Sequence, residues 1–565
     1  MLPSRQRASS FLQWLRRDRI TPNPVPTASG TSSEEKKHGS EQLQHHAGST
    51  GFLSSSEPDT SREAENQPQH GDRLTVHWDE PEDQDPENPM NWRPMVKWAN
   101  ILTIAVISFL VPLVSSMLAP AVPQVMAEFH TTSTTFATFV VSIFVLGFAC
   151  GPLLLAPLSE LYGRVPVYNA TNVLFLAATV MCAVSRGESM LLFSRFLSGF
   201  AGVATITIGS GTIADLMPRD ERGRAVSIWS VGTILGPMVG PVIGGSIAES
   251  LGWRWMFFAI AIVVSRPPPA FDPLFMEIRC SEVRGRKQIG VVCIIAFFVL
   301  KETYPRVLLE RKAARIRKET GNPSYRSSLA PDYTPGELFR RSIVRPMRLL
   351  LCCPFVTVLC AYVAILYGTL YLLFATYSFV FTEVYGFSTV AVGLVFLPGG
   401  LATLLGAFYI GAFSDRTLKR RAVARGFNAP EDRLAPIITL PGALAFPAGL
   451  FAYGWLVEGH VHWAAPLAGT AVTGFGSILV FTGIQTYLID AFEVYAASAV
   501  GANAVLRGIA GAVIPLSGLG LYERLGWGWG NSLLAFLALA FAPLPLLYGV
   551  YGVRIRNMPC NRVTF

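Results

Sequence analysis

Two arginines stand inside apolar runs that are long enough to cross a bilayer. Arg507 lies about eleven residues into the run 496–520, about 16 Å deep, and Asn503 precedes it by one helical turn on the same face. Arg195 lies near one end of the run 190–216. A charge within a span costs roughly 2.5–3.5 kcal/mol, so both guanidinium groups should face a protein interior. The alternative is that these side chains snorkel to the membrane surface.

Aromatic residues at helical spacing indicate where a ligand would bind. One apolar run carries a stripe made of Tyr367, Tyr371, Phe374 and Tyr377, and another carries Gln485 and Tyr487. An apolar cavity with aromatic walls and few polar groups suits bulky, poorly soluble molecules. We therefore predict a substrate cavity lined by Tyr367, Tyr371, Gln485, Asn503 and Arg507. The alternative is that the aromatic rings face lipid or pack in the core.

Other chemistry is weakly represented. The carboxylates lie at the ends of the apolar runs, at Glu160, Asp215, Asp415 and Asp490 on one side and at Glu249 and Glu383 on the other. No carboxylate at mid-depth therefore presents itself as a proton carrier. His460 and His462 alone make a weak metal site, and no GxxxxGK[ST] phosphate-binding loop is present. We predict no enzyme activity, no cofactor and no metal.

The composition predicts an all-α membrane protein. The chain of 565 residues is 51% hydrophobic and 15% charged, with a mean hydropathy of +0.40. A typical soluble domain has about 25% charged residues, and about 20 apolar residues cross a bilayer as a helix. We predict spans at 97–119, 135–157, 166–185, 190–216, 224–250, 350–380, 388–413, 435–457, 463–490, 496–520 and 528–553.

A twelfth span is divided. The apolar segments 255–264 and 289–300 are each too short to cross, but joined they have the length of one span. The intervening residues 265–288 are polar and basic and contain a PPP run. Our hypothesis is that 265–288 is an anomalous insertion translated from an unspliced intron. The alternative is a loop between two half-helices of a broken span.

Basic residues orient the spans. The alternate loops and the C-terminal end contain 25 Lys and Arg, whereas the opposite loops contain only Arg186, Arg254 and Arg524. By the positive-inside rule both termini are cytoplasmic. We predict a disordered cytoplasmic tail at 1–95, a six-helix bundle at 96–300, a basic cytoplasmic linker at 301–349, a second six-helix bundle at 350–553 and a cytoplasmic tail at 554–565. The positive charge therefore reports topology, and no nucleic-acid partner is expected.

The two halves contain an internal repeat. GPLLLAPLSELYGR at 151–164 aligns without gaps with GAFYIGAFSDRTLK at 406–419, which pairs Ser159 with Ser414 and Arg164 with Lys419. Each copy ends the second span of its half, so the pattern predicts two six-helix bundles related by pseudo-twofold symmetry. We further predict a cytoplasmic latch of charged residues, with simple anchoring of helix ends as the alternative. Its members would be Glu160, Arg164, Arg219, Arg222 and Arg224.

Segment 232–245, GTILGPMVGPVIGG, contains five glycines and two prolines. In lipid small residues become contact surface, and Gly232, Gly236, Gly240 and Gly244 recur every four residues. They form one nearly straight groove, with Pro237, Pro241 and Gly245 along its edge. We predict close packing of this helix against another span and a bend at the prolines.

These motifs resemble the major facilitator superfamily. The pattern at 156–164 is similar to its loop 2–3 signature, although Ala156 replaces Gly and Glu160 replaces Asp. GxxxGPxxGG at 236–245 resembles the antiporter signature of the twelve-span drug:proton antiporters. NPMNW at 88–92, KETY at 301–304 and 487–508 resemble the fungal branch of that family.

The resemblance implies a major facilitator fold and export of small amphipathic or toxic organic molecules by alternating access, driven by proton antiport. It also implies roles in proton coupling or gating for Arg195, Glu160, Arg164, Asp215, Asp415 and Arg416, and an antiporter motif at Gly236, Gly240, Pro241, Gly244 and Gly245. Its partners would be a small molecule, protons and the lipid of the plasma membrane, and we expect a monomer. Two alternatives remain: an importer of a small nutrient, facilitative or proton-coupled, and a transport-inactive product of mis-splicing.

Overall fold

Long apolar helices account for most of the chain. The computed structural model describes residues 75–82, 84–265, 299–330, 334–426, 429–492 and 495–558, all within one compact unit, Gly71–Phe565. Two short strands, β1 (Thr75–Val76) and β2 (Arg326–Ser327), pair in parallel. The helices are α1 (Pro94–Ser116), α2 (Val122–Glu128), α3 (Thr134–Tyr162), α4 (Arg164–Ala183), α5 (Glu188–Leu216), α6 (Arg219–Leu251), α7 (Trp253–Ser265), α8 (Pro305–Thr320), α9 (Pro335–Cys352), α10 (Pro354–Glu383), α11 (Thr389–Leu394), α12 (Phe396–Arg425), α13 (Pro436–Glu458), α14 (Ala464–Ala491), α15 (Ala496–Val513), α16 (Gly518–Phe541) and α17 (Pro543–Arg556).

The described helices match the predicted spans. Ten candidate spans are long and apolar enough to cross a membrane, and Trp253–Ile262 is a shorter apolar helix. The last candidate, Ala496–Arg556, is a 61-residue run that contains two of the predicted spans. Gly526 interrupts this run because its φ of 73° is not helical. An all-α membrane protein is therefore confirmed.

A second internal repeat marks the start of the last span in each half. LGWRW at 251–255 and LGWGW at 525–529 share Leu-Gly-Trp, and the two glycines, Gly252 and Gly526, both have positive φ, 92° and 73°. Only glycine adopts this conformation readily, so each one turns the chain into a new helix that starts at the tryptophan. The correspondence places α7 at the start of the sixth span, as α16 after Gly526 starts the twelfth.

The predicted glycine groove lies against α1. A Cβ atom on Gly232, Gly236, Gly240 or Gly244 would lie no more than 2.9 Å from a backbone carbonyl oxygen of α1 or of the residue that follows it. These oxygens belong to Ala105, Phe109, Leu113 and Met117, which also recur every four residues. The two helices therefore touch backbone to backbone, and we call this contact the α1–α6 seam. Gly245 and Pro241 lie on the next edge and contact Thr389 and Gly393 at the start of the eighth span.

The two halves of the protein contact each other inside the membrane region and at the end of it opposite Arg164. We call the end at which Arg164 lies the Arg164 end. At the opposite end, Gln124 Nε2 donates to Thr389 Oγ1 at 3.3 Å, and the backbone N–H of Val390 donates to Glu249 at 2.8 Å. Ser142 Oγ donates to the carbonyl oxygen of Ala512 at 3.1 Å. These contacts hold the halves together at the end remote from Arg164.

The prediction of disorder for 1–95 is wrong for its last part. β1 pairs with β2, and the Lys312 ammonium lies 2.8 Å from Asp79 and 3.2 Å from the buried carboxylate of Asp85. Arg315 also pairs with Glu87 at 2.8 Å. The segment from Thr75 onward therefore packs on α8, within the predicted linker. This segment has few hydrophobic residues, which suggested disorder, because ion pairs and backbone hydrogen bonds hold it in place.

Several predictions fall on residues outside the described ranges. These are the remainder of the tail at 1–74, the anomalous segment 265–288 except the backbone of Ser265, residues 289–298 of the half-span 289–300, and the end of the C-terminal tail at 559–565. The remaining domain boundaries stay predictions.

Candidate transport site

The predicted cavity residue Arg507 lies in an aromatic slot. Its guanidinium carbon is 4.8 Å from the ring centroid of Tyr367 on α10 and 4.9 Å from that of Phe481 on α14. The adjacent Gly508 packs on Ala149 of α3, in the other half of the molecule. Arg507 therefore lies close to the interface between the halves.

The other predicted cavity residues surround this slot. Asn503 is buried one turn before Arg507 and donates from Nδ2 to Gln485 Oε1 at 2.6 Å, whereas its Oδ1 has no partner within the described residues. Tyr371 packs its ring 4.9 Å from that of Tyr367. The structure thus brings all five predicted cavity residues together, because α10, α14 and α15 converge here.

Tyr371 also reaches across to the first half. Its hydroxyl lies 3.4 Å from Ser115 Oγ on α1, and the Ser115 carbonyl oxygen accepts a hydrogen bond from Arg195 Nη2 at 2.7 Å. Arg195 donates two further bonds, to the carbonyl oxygens of Val114 at 2.8 Å and Val140 at 3.2 Å, and it is fully buried. Arg195 therefore faces the bundle interior as predicted, and it does not snorkel.

Arg164 is the centre of a charged cluster at the end of the first half. Its Nε lies 3.3 Å from Asp215 Oδ2 on α5, and its Nη1 donates to Ser159 Oγ at 2.8 Å. The ring of Tyr304 covers its guanidinium at 4.5 Å. Burial, together with the Glu160 carboxylate, raises the pKa of the Tyr304 hydroxyl above its ordinary value. The carboxylate that bonds Arg164 is therefore Asp215, and not Glu160 as the predicted latch has it.

Glu302 is a helix-capping residue beside Arg164 that the sequence analysis missed. Its carboxylate accepts hydrogen bonds from the backbone N–H of Arg164 at 2.9 Å and of Val165 at 3.2 Å. These donors begin α4 and have no partners inside the helix, so an anion is favourable there. A Cβ on Gly163, which has a φ of 101°, would collide with the same carboxylate. The motif KETY at 301–304 contains Glu302, but it does not indicate that the partner of Glu302 is the start of α4.

The other predicted latch residues take separate roles. Arg222 donates to the carbonyl oxygens of Ala214 and Met217, and Arg224 lies over the ring of Trp98 at 5.5 Å. The side chain of Arg219 is outside the described set. These arginines anchor the start of α6 to neighbouring elements, which is the alternative that the sequence left open.

The second half builds the same cluster from a different arginine. Arg433 Nε lies 2.8 Å from Asp490 Oδ2 on α14, and its Nη1 donates to Ser414 Oγ at 3.3 Å. The repeat correctly paired Ser159 with Ser414. It did not find the arginine, because Arg433 lies 19 residues after Ser414 whereas Arg164 lies five residues after Ser159. Arg416 is exposed, and the side chain of Asp415 is outside the described set.

Comparison with known proteins agrees with this arrangement. The model of the Major Facilitator Superfamily matches residues 104–265 and 289–515. The chain belongs to the major facilitator superfamily. The efflux pump radE of Floropilus chiversii is 46% identical over 490 residues, which cover 86% of each chain. The MFS-type transporter penM of Penicillium rubens is 45% identical over 494 residues, 87% of this chain and 92% of penM.

Solved transporters share the fold. The xylose transporter XylE from E. coli, in a partially occluded inward-open conformation, superposes with a TM-score of 0.57 at 15% identity, over 81% of this chain and 98% of XylE. The major facilitator fold, with two six-helix bundles related by pseudo-twofold symmetry, is therefore confirmed. The superfamily match breaks off at residue 265 and resumes at residue 289.

The comparisons identify the chain as a multi-pass membrane transporter of the superfamily. Within the described residues, no group of three or more His, Cys, Asp or Glu could hold a metal ion. The assignment of individual residues to proton coupling, gating and substrate contact stays a prediction.

Proposed function

We propose that this transporter exports small amphipathic or toxic organic molecules by alternating access, driven by proton antiport across the plasma membrane. The observation that carries the proposal is the α1–α6 seam, together with its edge at Gly245, in which every glycine of the antiporter motif touches a neighbouring backbone. A side chain at these positions would force the helices apart, so the motif fixes the fit between the first and fifth spans. The naming of radE as an efflux pump supports the direction of transport.

The arrangement of the halves supports alternating access. They are joined at the end opposite Arg164, through Gln124 to Thr389 and Glu249 to Val390. The positive-inside rule assigns the Arg164 end and both termini to the cytoplasm. In this orientation the outer side is closed, and the slot around Arg507 receives molecules from the cytoplasm. We propose that the transporter acts as a monomer and has no enzymatic activity.

Reconstitution tests the proposal. The purified full-length protein is placed in vesicles that contain a pH-sensitive dye, and a panel of amphipathic compounds is added under an imposed pH gradient. Antiport predicts proton movement that depends on the compound and in the direction opposite to it. Compound movement without proton movement would instead indicate a facilitator, and movement with protons in the same direction would indicate a proton-coupled importer.

The vesicle assay also tests the alternative that the chain is a transport-inactive product of mis-splicing. If neither compounds nor protons move, the measurement is repeated with a variant that lacks 266–288, the residues that the superfamily match omits. Activity only in the shortened variant would identify the longer chain as the inactive product.

A further inference from the structure

Arg507 carries a charge that the described protein does not neutralise. Within the described residues it makes no ion pair, and the groups around it are the rings of Tyr367 and Phe481. Aromatic faces attract a cation, but they leave the N–H donors at the edge of the guanidinium unused. A span that retains such a charge bears a cost that a bound anion would offset.

Arg195 shows how an arginine whose donors are satisfied by the protein is accommodated in the same molecule. It donates to three carbonyl oxygens and is fully buried. Arg507, by contrast, is partly exposed although it lies at mid-span. The two sites have similar aromatic neighbours, with Phe144 at 4.7 Å from Arg195. They differ in hydrogen bonding, so the donors of Arg507 are available to a ligand.

The surroundings of Arg507 restrict that ligand. Two rings flank the guanidinium, and Tyr371 extends the aromatic wall toward the other half. A small inorganic anion would leave these rings uncovered, whereas a positively charged compound would be repelled by Arg507. Asn503, one turn away, has an Oδ1 without a partner in the described part of the chain, and this atom suits a hydroxyl or N–H donor of the ligand.

We propose that Arg507, Asn503, Tyr367 and Phe481 form a subsite for the anionic group of aromatic weak acids. This inference deepens the proposed function, on which it rests, by naming the substrate class. The guanidinium binds the carboxylate or phenolate, and the flanking rings contact the aromatic part. Because the subsite lies beside the contact between Gly508 and Ala149, cargo bound there touches both halves of the transporter.

A matched pair of probes tests the subsite at equilibrium. The full-length protein in lipid nanodiscs is titrated with 1-pyrenebutyrate and with its neutral amide, and binding is followed by fluorescence anisotropy. We expect the wild type to bind the acid at least tenfold more tightly than the amide. Similar affinities would overturn the proposal, and this result needs no variant to fold.

Substitutions at Arg507 test whether this residue causes the preference for the acid over the amide. Arg507→Gln is expected to weaken binding of the acid at least tenfold and binding of the amide less than twofold. Arg507→Lys keeps the charge but loses the planar donor edge, so an intermediate affinity is expected. The matched control is Arg524→Gln, at an exposed arginine, which should change neither affinity. Loss of both probes in Arg507→Gln, or an unchanged preference, would contradict the assignment.

Transport separates this inference from the function on which it rests. If vesicles move neither probe while the nanodiscs retain the preference for the acid, the subsite stands and export by antiport fails. If both probes move equally and Arg507→Gln changes nothing, transport stands and the subsite is refuted.

Discussion

The α1–α6 seam can be tested with the addition of one methyl group. In Gly240→Ala the new Cβ would lie 2.5 Å from both Leu113 O and Ser116 Oγ, whereas ordinary contact begins at 3.4 Å. The helices must therefore separate locally by about 0.9 Å, the difference between these two distances. Overpacking of this kind costs about 1–3 kcal/mol, and the gain in helix propensity from Gly to Ala returns about 0.5–1 kcal/mol.

The expected net result is a loss of about 1 kcal/mol in the free energy of unfolding, within a range of about 0–2.5 kcal/mol, because the steric cost exceeds the propensity gain. SDS titration of the protein in mixed micelles measures this free energy. The vesicle assay is run in parallel, and we expect slower transport because the first and fifth spans no longer fit.

The control substitution lies in the same helix. A Cβ atom added to Gly223 would have no described atom within 4 Å, so Gly223→Ala introduces no steric conflict. It should leave the stability unchanged or raise it by up to about 1 kcal/mol. The reasoning is refuted if Gly240→Ala and Gly223→Ala have the same stability and transport rate.

The charged clusters and the unusual segment lead to three further predictions. Arg433→Ala should slow transport at least tenfold because it removes the arginine that pairs with Asp490, whereas the exposed Arg420→Ala should stay within twofold in the vesicle assay; equal rates would contradict the role of Arg433. Burial would raise the pKa of Asp85, but backbone N–H donors and Lys312 outweigh it and lower this pKa below 3.8. Burial would likewise lower the pKa of Lys312, but Asp79 and Asp85 outweigh it and raise this pKa above 10.5. Docking of the N-terminal segment is then fully stable between these values. It is lost as the pH falls through the lowered pKa of Asp85 or rises through the raised pKa of Lys312. Limited proteolysis should detect this loss, and cleavage that is independent of pH would refute it. Transcript sequencing should find a shorter message that lacks the codons for 265–288, and a spliced message that always retains them would defeat the intron hypothesis.

The spans and the glycine seam could be predicted because lipid makes the sequence pattern simple. Without water every span must satisfy its backbone as a helix, so its length and apolar composition identify it. Gly232 to Gly244 recur with the helical period, and their close packing on another span follows from that period alone. The grouping of residues around Arg507 was also anticipated, because the position of Arg507 in its span and the stripe beginning at Tyr367 are local features.

Contacts that depend on the path of the chain could not be predicted. Glu302 caps a helix that begins 138 residues earlier, and the sequence at 301–304 contains no indication of that distance. The pairing of β1 with β2 is equally remote, and two-residue strands have no hydrophobic period to detect. Asp85 and Lys312 neutralise each other's charge in a buried ion pair. Composition alone does not show this pairing, so the charged segment that contains Asp85 is predicted to be disordered.

The two arginine clusters have the same geometry, but the sequence repeat aligns only part of their residues. In each half a carboxylate ends one span, Asp215 or Asp490, and a serine hydroxyl faces it from another span of the same half. The cluster needs a cation that reaches both the carboxylate and the serine, and the arginine that supplies it can stand at different distances along the chain. A search at a fixed spacing from the serine therefore finds Arg164 and misses Arg433. The carboxylate and the serine that each arginine bonds belong to its own half. In the proposed alternating access, rotation of one half against the other would therefore leave both ion pairs intact. It would break contacts between the halves at the opposite end, which include Gln124 with Thr389 and Glu249 with Val390.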